Sequence, residues 1–179
     1  MHYDVLAESV ALLDGAPLPD AARLSRRVRH LPLAVDRDGD VAATMFLRRG
    51  VSGVPLVDVH ALELTESGWR LLGGGSGPGD GATEPRPGRA GLGGLAVSHA
   101  GGGTSRAGRG RFGWTRRDWV SWAEVRVAQE VSALRVDTRV VPVAGHGCAV
   151  VVWAGRPPSV TGLDASGVVL GAVALLSSR

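Results

Sequence analysis

The sequence predicts a mainly β protein with N-terminal helices, an α+β chain whose C-terminal half forms a small antiparallel β-sandwich. Three observations carry this expectation. Aromatic residues make up 4% of the 179 residues against 44% hydrophobic, so the core is built mostly of Val, Leu and Ala, and valine favours strands. From Leu31 onward apolar and polar residues repeatedly alternate, the period of a half-buried strand. Short apolar runs in the C-terminal half, such as CAVVVWA, are bounded by turn residues.

The first thirty residues read as two short helices. Val5, Leu6, Val10 and Leu13 are spaced for one helical face before Gly15 and Pro17 break it. A second helix is expected from Asp20 as N-cap, with Ala21, Leu24 and Val28 on one side and Arg23, Arg26, Arg27 and Arg29 on the other. From Leu31 the segments LPLAVD and VAATMFLRR read as a hairpin turning at Asp38-Gly39. A second hairpin has VPLVDVHALEL and WRLLG as arms, joined by Thr65 to Gly68. This succession of helices, two hairpins and a tryptophan on the last strand resembles small cystatin-like or nuclear-transport-factor-like α+β units. The resemblance spans some fifty residues, rests on no motif and implies no function.

Between Gly73 and Gly113 lie 16 of the 27 glycines, with Pro78, Pro85 and Pro87. Such a segment has little side-chain surface to set against its backbone entropy. It reads as a Gly/Pro/Arg-rich linker or disordered loop over 73–111, with one short strand conceivable from Leu92 to Val97. Three parts follow: an α+β module over 1–72, the linker, and the sandwich module over 112–179. The alternative is that the two halves pair their sheets into one core.

Residues 118–134 fit either a helix or a strand, and their β-branched valines favour the strand. In LRVDTRV, Leu134, Val136, Thr138 and Val140 face one way and Arg135, Asp137 and Arg139 the other, as in one strand with a wet face. CAVVVWA is apolar on both faces and reads as a central strand. Asp164 to Gly167 is turn chemistry between the last two strands.

The chain contains no Lys, Asn or Ile, so all 20 basic residues are Arg. This is the composition of a GC-rich gene, as in a high-GC bacterium, and the arginine-rich character reflects it. Without Lys there is no lysine Schiff base and no phosphate loop ending in GK[ST]; without Asn there is no N-glycosylation acceptor. A net charge of +3 is not in itself a nucleic-acid signature. Asp4 and Glu8 stand where a signal peptide would be basic and then apolar. The apolar runs fall short of the roughly 20 residues of a membrane helix. A cytoplasmic protein with no membrane partner is expected.

From Arg86 to Arg117 there are seven arginines and no acid, followed closely by tryptophans. Arg106, Arg109, Arg111, Trp114, Arg116 and Arg117 are therefore candidates for single-stranded nucleic-acid binding, through phosphate contacts and base stacking. Against this, Trp119 and Trp122 would point to opposite faces of a strand and could not form one platform. Asp58 and His60 lie two apart on a presumed strand and share a face, and with His146 they are the candidate metal ligands. His146 and Cys148 share a face in the same sense, although GHG reads first as a turn and Cys148 as a buried apolar residue. Gly91, Gly93 and Ala96 match GxGxxG/A without the strand and helix that a dinucleotide site needs.

No catalytic residue and no cofactor is expected. The function read from these features is a β-rich protein-interaction or ligand-binding module, with a protein partner or a small ligand. Nucleic-acid binding is one alternative, and an enzyme whose pocket is assembled from sequence-distant residues is the other. Oligomeric state is left open.

Overall fold

The computed structural model describes residues 4–109 and 115–176, and for 107–109 and 115–117 the backbone alone. It is mainly β, with antiparallel sheets and a short helical N-terminus. Helix α1 (Val5–Leu13) begins where expected. Its N-cap Asp4 accepts from the backbone N–H groups of Leu6 and Ala7, both at 3.1 Å, satisfying two donors that the first turn leaves open.

The second helix expected from Asp20 does not form. Residues 20–29 run irregularly, and the Ser25 hydroxyl accepts from the N–H groups of Arg27 and Val28. Ser competes with helical hydrogen bonding in this way. Ala22 and Leu24, two apart, reach the core from this extended path, which a helical spacing would prevent.

The first sheet is the meander β1 (His30–Asp38), β2 (Val41–Arg49), β3 (Pro55–Thr65) and β4 (Gly68–Pro78). Both expected hairpins are present. The β1–β2 loop is Gly39-Asp40, and the positive φ of +62° falls on Gly39 alone. Helix α1 covers the outer face of this sheet, where Ser9 and Thr44 share a buried hydroxyl hydrogen bond of 2.8 Å.

Much of the expected linker over 73–111 is instead regular structure where it is described. It holds the second half of β4, the short helices α2 (Asp80–Thr83) and α3 (Arg89–Leu92), and the long strand β5 (Ala96–Arg109). The glycines answer a packing demand. A Cβ on Gly102 would stand 2.2 Å from the Trp122 ring, and one on Gly103 2.2 Å from Nε1 of Trp119. Both tryptophans lie on β6 (Thr115–Val127), the antiparallel partner of β5, so their rings take the room that β5 side chains would fill.

Residues 118–127 are strand, as valine content favours. The single strand expected for LRVDTRV is a tight hairpin, β7 (Ala133–Val136) and β8 (Arg139–Pro142). Asp137 makes this possible by adopting φ +51°, a conformation Asp tolerates better than most residues. The turn leaves Val140 57% exposed and buries Val141, the reverse of one continuous alternation. Strands β9 (Cys148–Ala154), β10 (Val160–Leu163) and β11 (Val169–Ala172) complete the chain. The second sheet has the order β5-β6-β9 and the third β11-β10-β7-β8.

Strand alternation divides the second sheet between two apolar clusters. Val120, Trp122, Cys148, Val150 and Val152 join Leu33, Met45, Val57 and Val59 of the first sheet. Ala123, Val125, Val127, Ala149, Val151 and Trp153 join Leu134, Val136, Val141 and Val160 of the third. Each fully buried Val or Leu contributes about 1.5–3 kcal/mol, so β6 and β9 bear much of the core. The boundaries at 72 and 112 cross the first cluster, which is built from both halves. Among the described residues no helix is long and apolar enough to cross a membrane.

Candidate functional site

A cavity of about 140 Å³ opens where the first and second sheets meet. It is lined by Met45, Val57, Pro78, Gly81, Ala82, His99, Glu124, Arg126 and Cys148. Strands β2 and β3 provide the apolar wall and α2 sets Ala82 at the rim. The polar side comes from β5, β6 and β9. The lining residues are spread from Met45 to Cys148, so the site as a whole is not visible from spacing.

Glu124 and Arg126 are two apart on β6 and so share the inward face with Trp122. Both are buried, at 8% exposure each. His99 reaches the same side through a bulge. Ser98 pairs with Val125 and Ala100 with Glu124, leaving His99 as the extra residue. A bulge re-aims a side chain in this way. His99 Nε2 comes within 3.7 Å of Glu124 Oε2, with the His99 side chain half exposed and that of Glu124 at 11%. Among the described residues Glu124 has no hydrogen bond.

Arg126 is held by acceptors of the protein itself. Its guanidinium donates to the His146 carbonyl, to Cys148 Sγ at 3.1 Å and to the Glu84 carbonyl at 2.9 Å. The cation is thus fixed in the cavity wall. Arg86 lies over Gly147, where a Cβ would come within 2.6 Å of it, and donates to the carbonyls of Val127, Ala128 and Val131.

Burial sets the proton affinities. It pushes the Glu124 carboxyl above its ordinary value and the Cys148 thiol up, against the Arg126 charge. It pulls His99 down. His146 is lowered to about 4, first by burial and then by the Arg126 and Arg86 charges. Its Nδ1 accepts the Cys148 N–H at 3.1 Å, so in the neutral ring the proton sits on Nε2, which has no partner among the described residues.

The residues singled out from sequence fall elsewhere. Asp58 and His60 do share a face of β3, but Arg48 donates to both carboxylate oxygens of Asp58, at 2.5 and 3.3 Å. Burial raises the Asp58 pKa, and the bonds from Arg48 and Ser76 outweigh it, leaving it lowered. His60 packs against Phe46 with ring centroids 5.9 Å apart. His146 sits in the turn before β9. Among the described residues no group of three or more His, Cys, Asp or Glu is placed to hold a metal ion.

Arg106 is paired with Asp40 at 2.7 Å, its side chain 16% exposed. Arg109 lies in β5, Arg116 and Arg117 in β6, while Arg111 and Trp114 lie outside the described residues. Trp122 is buried and Trp119 is 52% exposed, on opposite faces as their spacing requires. Glu124, His99 and Arg126 do not stand out in the sequence, where their one signal is the two ionisable residues Glu124 and Arg126 in an otherwise apolar stretch of β6. Compared with known proteins, the chain matches no family model, no curated protein and no solved structure.

Proposed function

We propose that the protein binds a small, neutral, largely apolar molecule in the cavity between the first and second sheets. One observation carries this reading: an apolar wall of Met45, Val57 and Ala82 faces a convergent polar set of Glu124, His99 and Arg126 across about 140 Å³. Binding sites are characteristically apolar concavities with a few placed polar groups. An apolar cavity of about 150 Å³ admits benzene, which sets the scale of the ligand. Arg126 commits three of its five N–H donors to the protein,, so it offers chiefly potential to a ligand. Glu124 has free acceptor capacity, so the ligand brings a hydroxyl or N–H.

Titration calorimetry with phenol tests this. Saturable one-to-one binding that Ala82→Trp removes is expected. Failure to saturate, or equal binding by the Ala82→Trp variant, would contradict it.

A second reading, single-stranded nucleic acid on the β5–β6 hairpin, is favoured by the half-exposed ring of Trp119. Arg106 contributes little to it, being turned to Asp40. Oligonucleotide binding that weakens steeply with salt and is lost in Trp119→Ala would support this reading. Absence of binding at low salt would end it.

A further inference from the structure

We propose that Glu124 is a base for carbon acids: its carboxylate takes a proton from a small, flat, neutral ligand seated in the cavity, and His99 passes that proton to solvent. The inference rests on the reading of the cavity as a ligand site and adds a reaction to it.

Three features of the site support it. Glu124 is a buried residue, at 8% exposure, whose carboxylate faces the cavity and has His99 as its ion-pair partner among the described residues at 3.7 Å. A carboxylate withdrawn from most of its water is a stronger base than one in solution, which its raised proton affinity reflects,. The second feature is the route out. The His99 side chain is 52% exposed and lies 3.7 Å from Glu124, so a proton gained in the cavity has an exit. The third is Arg126, whose charge is fixed in the same wall by the His146 and Glu84 carbonyls. A preorganised cation favours the negative charge that develops on the ligand as the proton leaves.

Around the cavity the titratable or charged groups beside Glu124 are His99 from β5, Arg126 on its own strand and Cys148 from β9, while the first sheet and α2 present the non-titrating Met45, Val57, Pro78, Gly81 and Ala82. In the step itself the C–H bond breaks, the proton joins a Glu124 oxygen, and the electron pair moves into the ligand toward an electronegative atom. With benzisoxazole as probe, that pair forms the nitrile as the N–O bond breaks, and the oxygen departs as phenolate. Nothing is oxidised or reduced from outside, since the N–O bond is the internal acceptor.

The experiment follows cyanophenolate release from benzisoxazole by the full chain across pH, beside phenol binding by calorimetry. Saturable turnover is expected to rise with pH through a midpoint above that of an ordinary glutamate. Glu124→Gln, whose amide oxygen can still accept from a phenol hydroxyl, should lower kcat by at least about 100-fold with no fall in the denaturant midpoint. His99→Ala should shift the pH profile of kcat with no fall in the denaturant midpoint. Phenol binding with no turnover above that of free acetate, or turnover untouched by Glu124→Gln, overturns the base and leaves the ligand site standing. Loss of both binding and turnover in the wild-type protein overturns the two together.

Discussion

Asp36 and Arg139 lie 103 residues apart in the sequence and meet through two hydrogen bonds of 2.9 Å each. Together they also bracket Val152. Asp36 Oδ2 accepts its N–H at 2.9 Å and Arg139 donates to its carbonyl at 2.6 Å. The edge of β9 that β6 leaves unpaired is thereby satisfied by a side-chain pair, drawn from β1 and β8, in place of a further strand.

Removing Asp36 takes the acceptor from the Val152 N–H and leaves Arg139 with the more exposed Asp38 carboxylate at 3.5 Å. Asp36→Ala is expected to cost about 3–5 kcal/mol, read as a shift in urea midpoint. A loss below about 1 kcal/mol, the worth of an exposed pair, would show that Arg139 and Val152 find other partners.

The shared first cluster makes the two halves depend on each other. A chain of residues 112–179 would expose Val120, Trp122, Val150 and Val152, all buried by the first sheet. It is expected to remain unfolded by circular dichroism and amide exchange. A folded fragment with protected β6 and β9 amides would show that the third sheet alone suffices.

Gly102→Ala places a methyl group 2.2 Å from the Trp122 ring. Overpacking of this kind costs about 1–3 kcal/mol. The same substitution in a Trp122→Leu background should cost clearly less, since the ring that clashes is gone. Equal costs in both backgrounds would place the origin in the β5 backbone and not in the ring.

His146 gives the stability a specific acid dependence. Its pKa falls from 6.5 to about 4 in the folded state, so above pH 6.5 the ring is neutral in both states and costs nothing. As the pH drops from 6.5 toward 4, the unfolded chain binds a proton that the folded one refuses, and stability falls by up to about 3 kcal/mol. Glu124, raised in the fold, acts in the opposite sense: its effect favours folding at low pH and is lost as pH rises. His146→Gln should flatten the decline between pH 6.5 and 4 in urea titrations. An unchanged slope would mean that other groups produce it.

The sequence carried the fold where local pattern and final environment agree. The alternation in β6, the double-sided apolar run of β9 and the DASG turn, where Asp164 Oδ1 accepts from Ser166 and Val168, are all legible. The glycine runs misled because their partner, Trp122, comes twenty residues later and glycine beside an aromatic ring looks like glycine beside nothing. The candidate site was hidden for two physical reasons. Glu124 and Arg126 alternate with valines as on a wet face, and only the covering first sheet makes that face interior. His99 joins them through a one-residue bulge, which no periodicity reveals.

The ligand site is tested most directly by diffraction from crystals soaked in para-bromophenol, where anomalous scattering locates the bromine. The expected result is one bromine peak in the cavity, among Met45, Val57 and Ala82, with the hydroxyl turned to Glu124. An empty cavity with bromine bound at another surface would contradict the account.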